Sequence, residues 1–372
     1  ECARSANSGS SWNTPVNVDG IDNDDVNEFR ASPFISANSD RVIMFWSETN
    51  SESGSSSDQD IVYSTSTNDG TSWSDYADVS EHYYEADSGL PALAHSGDYI
   101  YLVYLDNGDN DQVNDPNGND ADDRDGDIYF QRSDDEGETW EALKVLSLFD
   151  EDEENDLDYT SILLQYRTDI AATGSYVHVA WIDYDSYNGG YDIIYTKSSN
   201  NGNSWSDPES ISTASSPGGV TVAASGSNIV ISWVDFGDVF YVSSSNNGDS
   251  WSSKVEFESL SSSLNYMPEL IFNEGRFHAI WTNTASGQSV QYTSSEDGED
   301  WSDTVYINTG GKSGISYTPV ISADGPKLYA AWSDSGNYDG DSSSDYDIVG
   351  AISNDNGETW EEDKLFIDTS TS

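Results

Sequence analysis

Ser353-Asn354-Asp355-Asn356-Gly357-Glu358-Thr359-Trp360 is one copy of a phrase that punctuates the whole chain. It recurs, lightly varied, at Ser294 to Trp301, Ser244 to Trp251, Ser198 to Trp205, Ser133 to Trp140, Ser66 to Trp73 and Ser5 to Trp12. The phrase is turn chemistry: glycine accepts a positive φ, the Asn or Asp side chain bonds nearby amides, and the Ser and Thr hydroxyls close the loop. The tryptophan then returns into a core. In the fifth complete unit Glu296 stands in the Asx place and Asp300 in the hydroxyl place, while Gly298 and Trp301 remain. A phrase repeated at intervals of about 45 to 67 residues marks a repeat architecture, and one copy per repeat makes it a former of the fold rather than a catalytic constellation.

Between the copies the same run of short strands returns. In the first complete unit an apolar strand opened by Pro33 is followed by Val42 to Trp46, an acidic loop, and Asp60-Ile61-Val62-Tyr63 leading into the phrase. Equivalent runs are Tyr99 to Tyr104 with Asp127-Ile128-Tyr129, Val177 to Trp181 with Asp192 to Tyr195, and Ile229 to Trp233 with Asp238 to Tyr241. Phe277 to Trp281 with Ser289 to Tyr292, and Leu328 to Trp332 with Asp347 to Val349, complete the set. No segment keeps a helical period over three turns, and Glu141 to Leu164 is the one long irregular stretch where a helix would fit. Four-stranded antiparallel units repeated six times predict an all-β, six-bladed β-propeller forming a single domain over residues 1–372. Residues 19–372 supply the six units. The N-terminal hairpin, residues 1–18, is surplus: it closes the ring, starts a partial seventh blade or pairs with a neighbouring subunit. With strands A to D counted from the axis, the phrase lies between C and D. The long insertions then lie at the other end, in the B–C and D–A connections, where propellers carry ligands.

The 372 residues carry 69 acidic side chains against 13 basic ones, a net charge of −56. Such charge with low hydropathy suits disorder, but 12 Trp, 23 Tyr and 11 Phe in periodic strands require a packed core. Nucleic acid and anionic membranes would be repelled, whereas cations are natural partners. The single Cys2 excludes an internal disulfide, and no apolar run is long enough to span a bilayer. A chain opening at Glu1 without an initiator methionine is expected to begin at a processed end, consistent with an extracellular or cell-surface protein.

The Ser-x-Asp-x-Gly-x-Thr-Trp phrase resembles the Asp box of the bacterial neuraminidase (BNR) repeat, and from Ser5 to Trp360 the chain is similar to the sialidase-like propeller superfamily. The resemblance implies Asp-box turns between strands C and D. For activity it implies an exo-glycoside hydrolase in which three arginines hold a carboxylate, a Tyr–Glu pair attacks and an Asp acts as acid and base. Arg30, in Phe29-Arg30-Ala31-Ser32-Pro33, matches the first arginine with one extra residue before the proline, and Arg167 occupies the equivalent crossing before the third unit. Tyr266 and Tyr317 stand two positions before Pro268 and Pro319. No third arginine falls in place, which points away from an anionic sugar substrate.

Asp106, Asp183, Asp235 and Asp334 each follow the end of a B strand by two residues, with Glu48 and Asn283 in the same places elsewhere. Such acids bind cations or sugar hydroxyls, or cap loop backbones. The B–C insertion holding Asp109, Asp111, Asp115, Asp120, Asp122, Asp123 and Asp125 clusters oxygens as Ca2+ requires, and equally reads as a solvated acidic loop; Asp339, Asp341, Asp345 and Asp347 form a weaker second cluster. The expected function is a secreted or cell-surface, cation-dependent propeller that binds glycans or protein without catalysis. A sialidase-like hydrolase and a subunit of an extracellular surface layer or filament are the alternatives.

Overall fold

Short apolar runs bounded by Gly, Asn and Asp form strands, and the computed structural model contains 23 of them, with no helix among the described residues. The described residues are 2–6, 13–18, 30–37, 41–49, 59–80, 88–106, 127–147, 168–185, 190–257, 265–283, 289–308, 316–335 and 347–361. The chain divides into two compact units, Glu1–Ser210 and Ile211–Ser372.

The first unit holds sheet 1, made of β1 (Arg30–Ala37), β2 (Val42–Thr49), β3 (Gln59–Ser66) and β4 (Ala77–Asp78). Sheet 2 is β5 (Ser88–Ser96), β6 (Tyr99–Asp106), β7 (Asp127–Ser133) and β8 (Lys144–Val145). Sheet 3 is β9 (Asp169–Thr173), β10 (Tyr176–Asp185), β11 (Gly190–Ser198) and β12 (Glu209–Ala214), and the division between the units falls inside β12. The second unit holds sheet 4, made of β13 (Pro217–Ser225), β14 (Asn228–Asp235), β15 (Asp238–Ser244) and β16 (Val255–Glu256). Sheet 5 is β17 (Asn265–Asn273), β18 (Arg276–Asn283), β19 (Ser289–Ser295) and β20 (Val305–Tyr306). Sheet 6 is β21 (Ser316–Asp324), β22 (Lys327–Asp334) and β23 (Asp347–Ser353), so it has three described strands where four were expected. Each sheet is antiparallel with its strands in chain order, the blade pattern of a six-bladed β-propeller.

The second strand of sheet 2 is apolar on both faces because it lies between sheets 1 and 3. In β6, Ile100, Leu102 and Tyr104 pack with Ile43, Phe45 and Ile61 of sheet 1. The alternate residues Tyr101, Val103 and Leu105 pack with Val177, Val179 and Trp181 of sheet 3. Sheets 4 and 5 share a core around Val230, Tyr241, Phe277 and Trp281. Sheets 5 and 6 share one around Ile280, Tyr292, Leu328 and Trp332. On sheet 1 the face away from sheet 2 carries Trp46 and Val62, and Val18 packs there with Cys2. Cys2 and Val16 bond each other's backbones at 2.8 and 2.9 Å; residues 7–12, in the extra N-terminal copy of the phrase that precedes the six numbered with the sheets, lie outside the described residues.

The repeated phrase connects the third and fourth strands. In the last copy Ser353 Oγ donates to Asp355 Oδ1 (2.8 Å) and accepts from the Gly357 amide (2.8 Å), while Thr359 donates its amide (2.8 Å) and hydroxyl (2.6 Å) to Asp355. The copies at Ser66, Ser133, Ser198 and Ser244 repeat the Ser-to-Asx and Gly-to-Ser bonds. Before the glycine a non-glycine residue takes a positive φ: 56° at Asp69, 62° at Glu136, 57° at Asn201, 57° at Asn247 and 56° at Asn356.

The fifth copy corrects the reading from sequence. Its serine is Ser295, not Ser294, and its Asx is Asp297, not Glu296: Ser295 Oγ donates to Asp297 Oδ1 (3.0 Å) and accepts from Gly298 N–H (2.9 Å). One residue has been lost between Asx and Gly, the very residue held at positive φ elsewhere. Asp297 makes up for it by accepting from both the Glu299 and Asp300 amides, each at 2.9 Å. The irregular stretch from Glu141 is extended into the short strand β8; residues 148–167 lie outside the described residues.

Four of the phrase copies also bind their own sheet to the preceding one. Trp140 meets Phe45 edge-on at 5.6 Å, Trp205 meets Phe130 at 4.8 Å, Trp301 meets Tyr241 at 5.7 Å, and Trp360 meets Tyr292 at 5.0 Å. The few basic residues do the same. Arg132 of β7 donates to Asn201 O and, at 2.9 Å, to Asn203 Oδ1, while Lys144 donates to Gly202 O and Asn203 O of the third copy.

Candidate functional site

The opposite strand ends collect the acidic side chains. Glu48, Asp106, Asp183, Asp235, Asn283 and Asp334 fall at or near the ends of the second strands, and all six are buried, between 0% and 7% exposed. Two residues earlier on the same face stands an aromatic: Trp46, Tyr104, Trp181, Trp233, Trp281 or Trp332, each buried. In sheet 1 the glutamate is long enough to accept directly from this indole, with Trp46 Nε1 to Glu48 Oε2 at 2.8 Å.

Register sets acid against acid. Glu48 is directly opposite Asp60, Asp106 opposite Asp127, Asp183 opposite Asp192, Asp235 opposite Asp238, and Asp334 opposite Asp347. Like charges in such positions repel, so each pair requires compensating bonds or cations. The bonds are visible. Ser88 Oγ donates to Asp106, Ser147 Oγ to Asp127 (2.6 Å) and Ser210 Oγ to Asp192 (2.8 Å). In sheet 5, where the acid is replaced, Asn283 Nδ2 donates to Gln291 Oε1 at 2.8 Å.

Asp235 is held by three donors. It accepts from the Ser215 and Ser216 amides at 3.0 and 2.9 Å and from Lys254 Nζ at 2.7 Å. Burial raises its pKa, but the ammonium and the two amides outweigh this and leave it below the ordinary carboxylate value. Lys254 in turn lies 4.0 Å above the Phe240 ring and 5.5 Å from that of Trp233. Asp235 thus caps a loop and anchors a cation.

First strands enter this end through a bulge. An extra residue is inserted between Ala31 and Phe34, Gly89 and Ala92, Gly218 and Val220, Tyr266 and Glu269, and Tyr317 and Val320. Four of the five bulges contain a proline, which has no amide to lose from the ladder. They hold Leu90 at φ 55° and Thr318 at φ 41°, conformations an L-residue with a Cβ seldom adopts. Arg30 therefore opens β1 in register with Glu48, Tyr266 pairs with Thr282, and Tyr317 with Ser333. Backbone register brings Arg30, Tyr266, Tyr317, Asp183 and Asp235 to equivalent strand ends, each within its own sheet. Arg167 and the whole set Asp109, Asp111, Asp115, Asp120, Asp122, Asp123 and Asp125 lie outside the described residues, as do Asp339, Asp341 and Asp345. Among the described residues no group of three His, Cys, Asp or Glu side chains is placed to hold a metal ion.

Three of the seven arginines are engaged at the phrase end, roughly 20 Å away along the strands. Arg41 pairs with Glu138 (2.8 Å), Arg132 with Glu141 (2.8 Å), and Arg276 with Glu296 (3.2 Å) and Glu358 (3.4 Å). The aromatic-x-acid ending of five second strands and the Asp at or near the start of five third strands were both visible as repeats in the sequence. Their cross-strand pairing was not, because it depends on register across B–C connections of unequal length.

No family model matches the chain, and no curated protein does. Solved structures are similar. A point mutant of NanB sialidase from Streptococcus pneumoniae superimposes with a TM-score of 0.56 and 15% identity, over 83% of this chain and 66% of that one. The chain therefore spans just under two thirds of that sialidase. The intramolecular trans-sialidase from Ruminococcus gnavus, solved with oseltamivir carboxylate, gives 0.55 and 13% over 82% and 90%. A protein of unknown function from Dyadobacter fermentans gives 0.55 and 12% over 88% and 94%. At such identities the likeness is one of fold, and the fold is that of a sialidase-like β-propeller.

Proposed function

We propose that this chain is a non-catalytic sialidase-like propeller, secreted or at the cell surface, that binds glycans at the acidic strand ends. What carries the reading is the use of the arginines. Gripping an anionic sugar takes converging guanidinium groups, and Arg41, Arg132 and Arg276 are tied to glutamates at the other end of their sheets. Carboxylates dominate the strand ends instead, and they accept the hydroxyls of a neutral sugar while repelling an anionic one. A fluorogenic sialoside should not be turned over, whereas a neutral-glycan array should retain the protein. Turnover lost on Arg30→Ala and Arg167→Ala would establish the hydrolase instead.

Cation dependence is part of the proposal. The crowded carboxylates of residues 109–125 add to the paired acids of the strand ends, and a hard cation relieves both. Millimolar Ca2+ added to chelator-treated protein at low salt should raise the melting temperature by several degrees. An equal rise with matched ionic strength of a monovalent salt would reduce the effect to screening.

A further inference from the structure

The connection between β14 and β15 is the shortest joining a second strand to a third, only Phe236 and Gly237 between Asp235 and Asp238. Phe236 has φ 54° and Gly237 φ 87°, the type I′ hairpin geometry whose first central position suits Asn, Asp or Gly. Phenylalanine there works against the turn. It also gains nothing from burial: at 72% exposed, it is the most exposed large hydrophobic side chain among the described residues.

The base beneath it is held by hydrogen bonds. Phe236 N–H donates to Ser216 O at 3.1 Å, and the Ser215 and Ser216 amides and the Lys254 ammonium all converge on Asp235. Across the same turn Asp238 is half-buried, and its carboxylate makes no side-chain hydrogen bond among the described residues. A strained, exposed aromatic two residues from a half-buried carboxylate points to recognition rather than folding. Its chemistry is that of a pyranose: the C–H face of the sugar lies on the aromatic ring and the equatorial hydroxyls donate to the carboxylate. An acidic sugar is disfavoured by Asp238 and by a net charge of −56.

We propose that Phe236 is the stacking platform for a neutral sugar ring, with Asp238 accepting its hydroxyls. This rests on the glycan-binding reading above and assigns it to one turn. The test uses the full chain against immobilised neutral oligosaccharides of the gluco, manno, galacto and xylo series. Phe236→Asn places the residue this turn prefers. It should melt no lower than the parent yet lose about tenfold or more in affinity for whichever series the parent binds. Phe236→Trp, which keeps an aromatic face, should retain binding, and Asp238→Asn should weaken it. If Phe236→Asn binds as the parent does, the platform is wrong and the glycan reading stands. If the parent binds none of the series, both fall. A lower melting temperature for Phe236→Asn, or lost binding in Phe236→Trp, also overturns the assignment.

Discussion

Replacing Gly202 by alanine is expected to destabilise the fold by roughly 3 to 5 kcal/mol, against about 1 to 2 kcal/mol for the same change at Gly97. Both glycines have a positive φ, 76° and 61°, so both substitutions carry the backbone cost of a left-handed residue. They differ in surroundings. A Cβ on Gly97 meets nothing within 4 Å, whereas one on Gly202 falls 2.5 Å from Phe130 Cζ in the preceding sheet. Phe130 cannot give way, being 1% exposed and wedged against Trp205 and the core shared by sheets 2 and 3. The same close approach recurs at Gly298 against Val230, and at Gly357, where a Cβ would overlap Tyr292 Oη. Gly137 should be milder, because its neighbour is the rotatable Cδ1 of Ile43. Denaturant midpoints of Gly97→Ala, Gly137→Ala, Gly202→Ala and Gly357→Ala should therefore fall in that order of damage, the last two close together. Equal losses at Gly97 and Gly202 would mean that the glycine serves only the turn and not the contact between sheets.

This double duty explains why the fold could be read so far from sequence. Turn chemistry is local, so the phrase announces itself, and the apolar runs between copies leave few arrangements open. Where the reading slipped, the cause was also local. Counting back from Trp301 to a serine at the usual spacing selects Ser294, whereas the bonds run from Ser295 because the left-handed residue before Gly298 is missing. Adjacency of Asp297 and Gly298 was the available sign. The strand-end chemistry was less legible. The acids could be located, but not that Asp183 faces Asp192, or that Asp235 is held by Lys254, because pairing across a connection depends on its register and not on its length. Arginines were harder still. A guanidinium reaches several residues in any direction, and Arg132 bonds a phrase about seventy positions downstream.

The acidic strand ends and the phrase ends thus divide the labour of each sheet. One end carries bonds within and between sheets that fix the fold, and three of its arginines are paired with glutamates. At the other, carboxylates face one another in register. Stability that depends on the second end should respond to cations, and stability that depends on the first should respond to whatever disturbs its buried polar pairs.

Two such pairs set the response to acid. His178 Nδ1 lies 2.7 Å from Tyr195 Oη, and His278 Nδ1 lies 2.7 Å from Tyr292 Oη; both imidazoles are 0% exposed. Burial, with Lys197 directly across the strand, pushes the His178 pKa down to about 3. Burial also lowers His278 to about 4, the Asn273 carbonyl opposing it and Arg276 adding to it. A folded pKa below the unfolded value of about 6.5 means that the unfolded chain binds the proton first. Stability is therefore complete above about pH 6.5 and is lost as pH falls toward 4 and then 3. At pH 5 each histidine should have withdrawn about 2 kcal/mol relative to pH 7.5. Protonation of carboxylates adds its own pH dependence over the lower part of this range. The histidine contribution is isolated by comparison with His178→Gln/His278→Gln, which keeps polar groups near the tyrosines but does not titrate. Between pH 7.5 and pH 5 the parent should lose about 4 kcal/mol more than the double variant, and parallel pH profiles would rule the histidines out as the acid trigger. Gly357→Ala couples the turn to the histidine: by displacing Tyr292 it should open the His278 site to water, raise that pKa and flatten the lower limb of the profile.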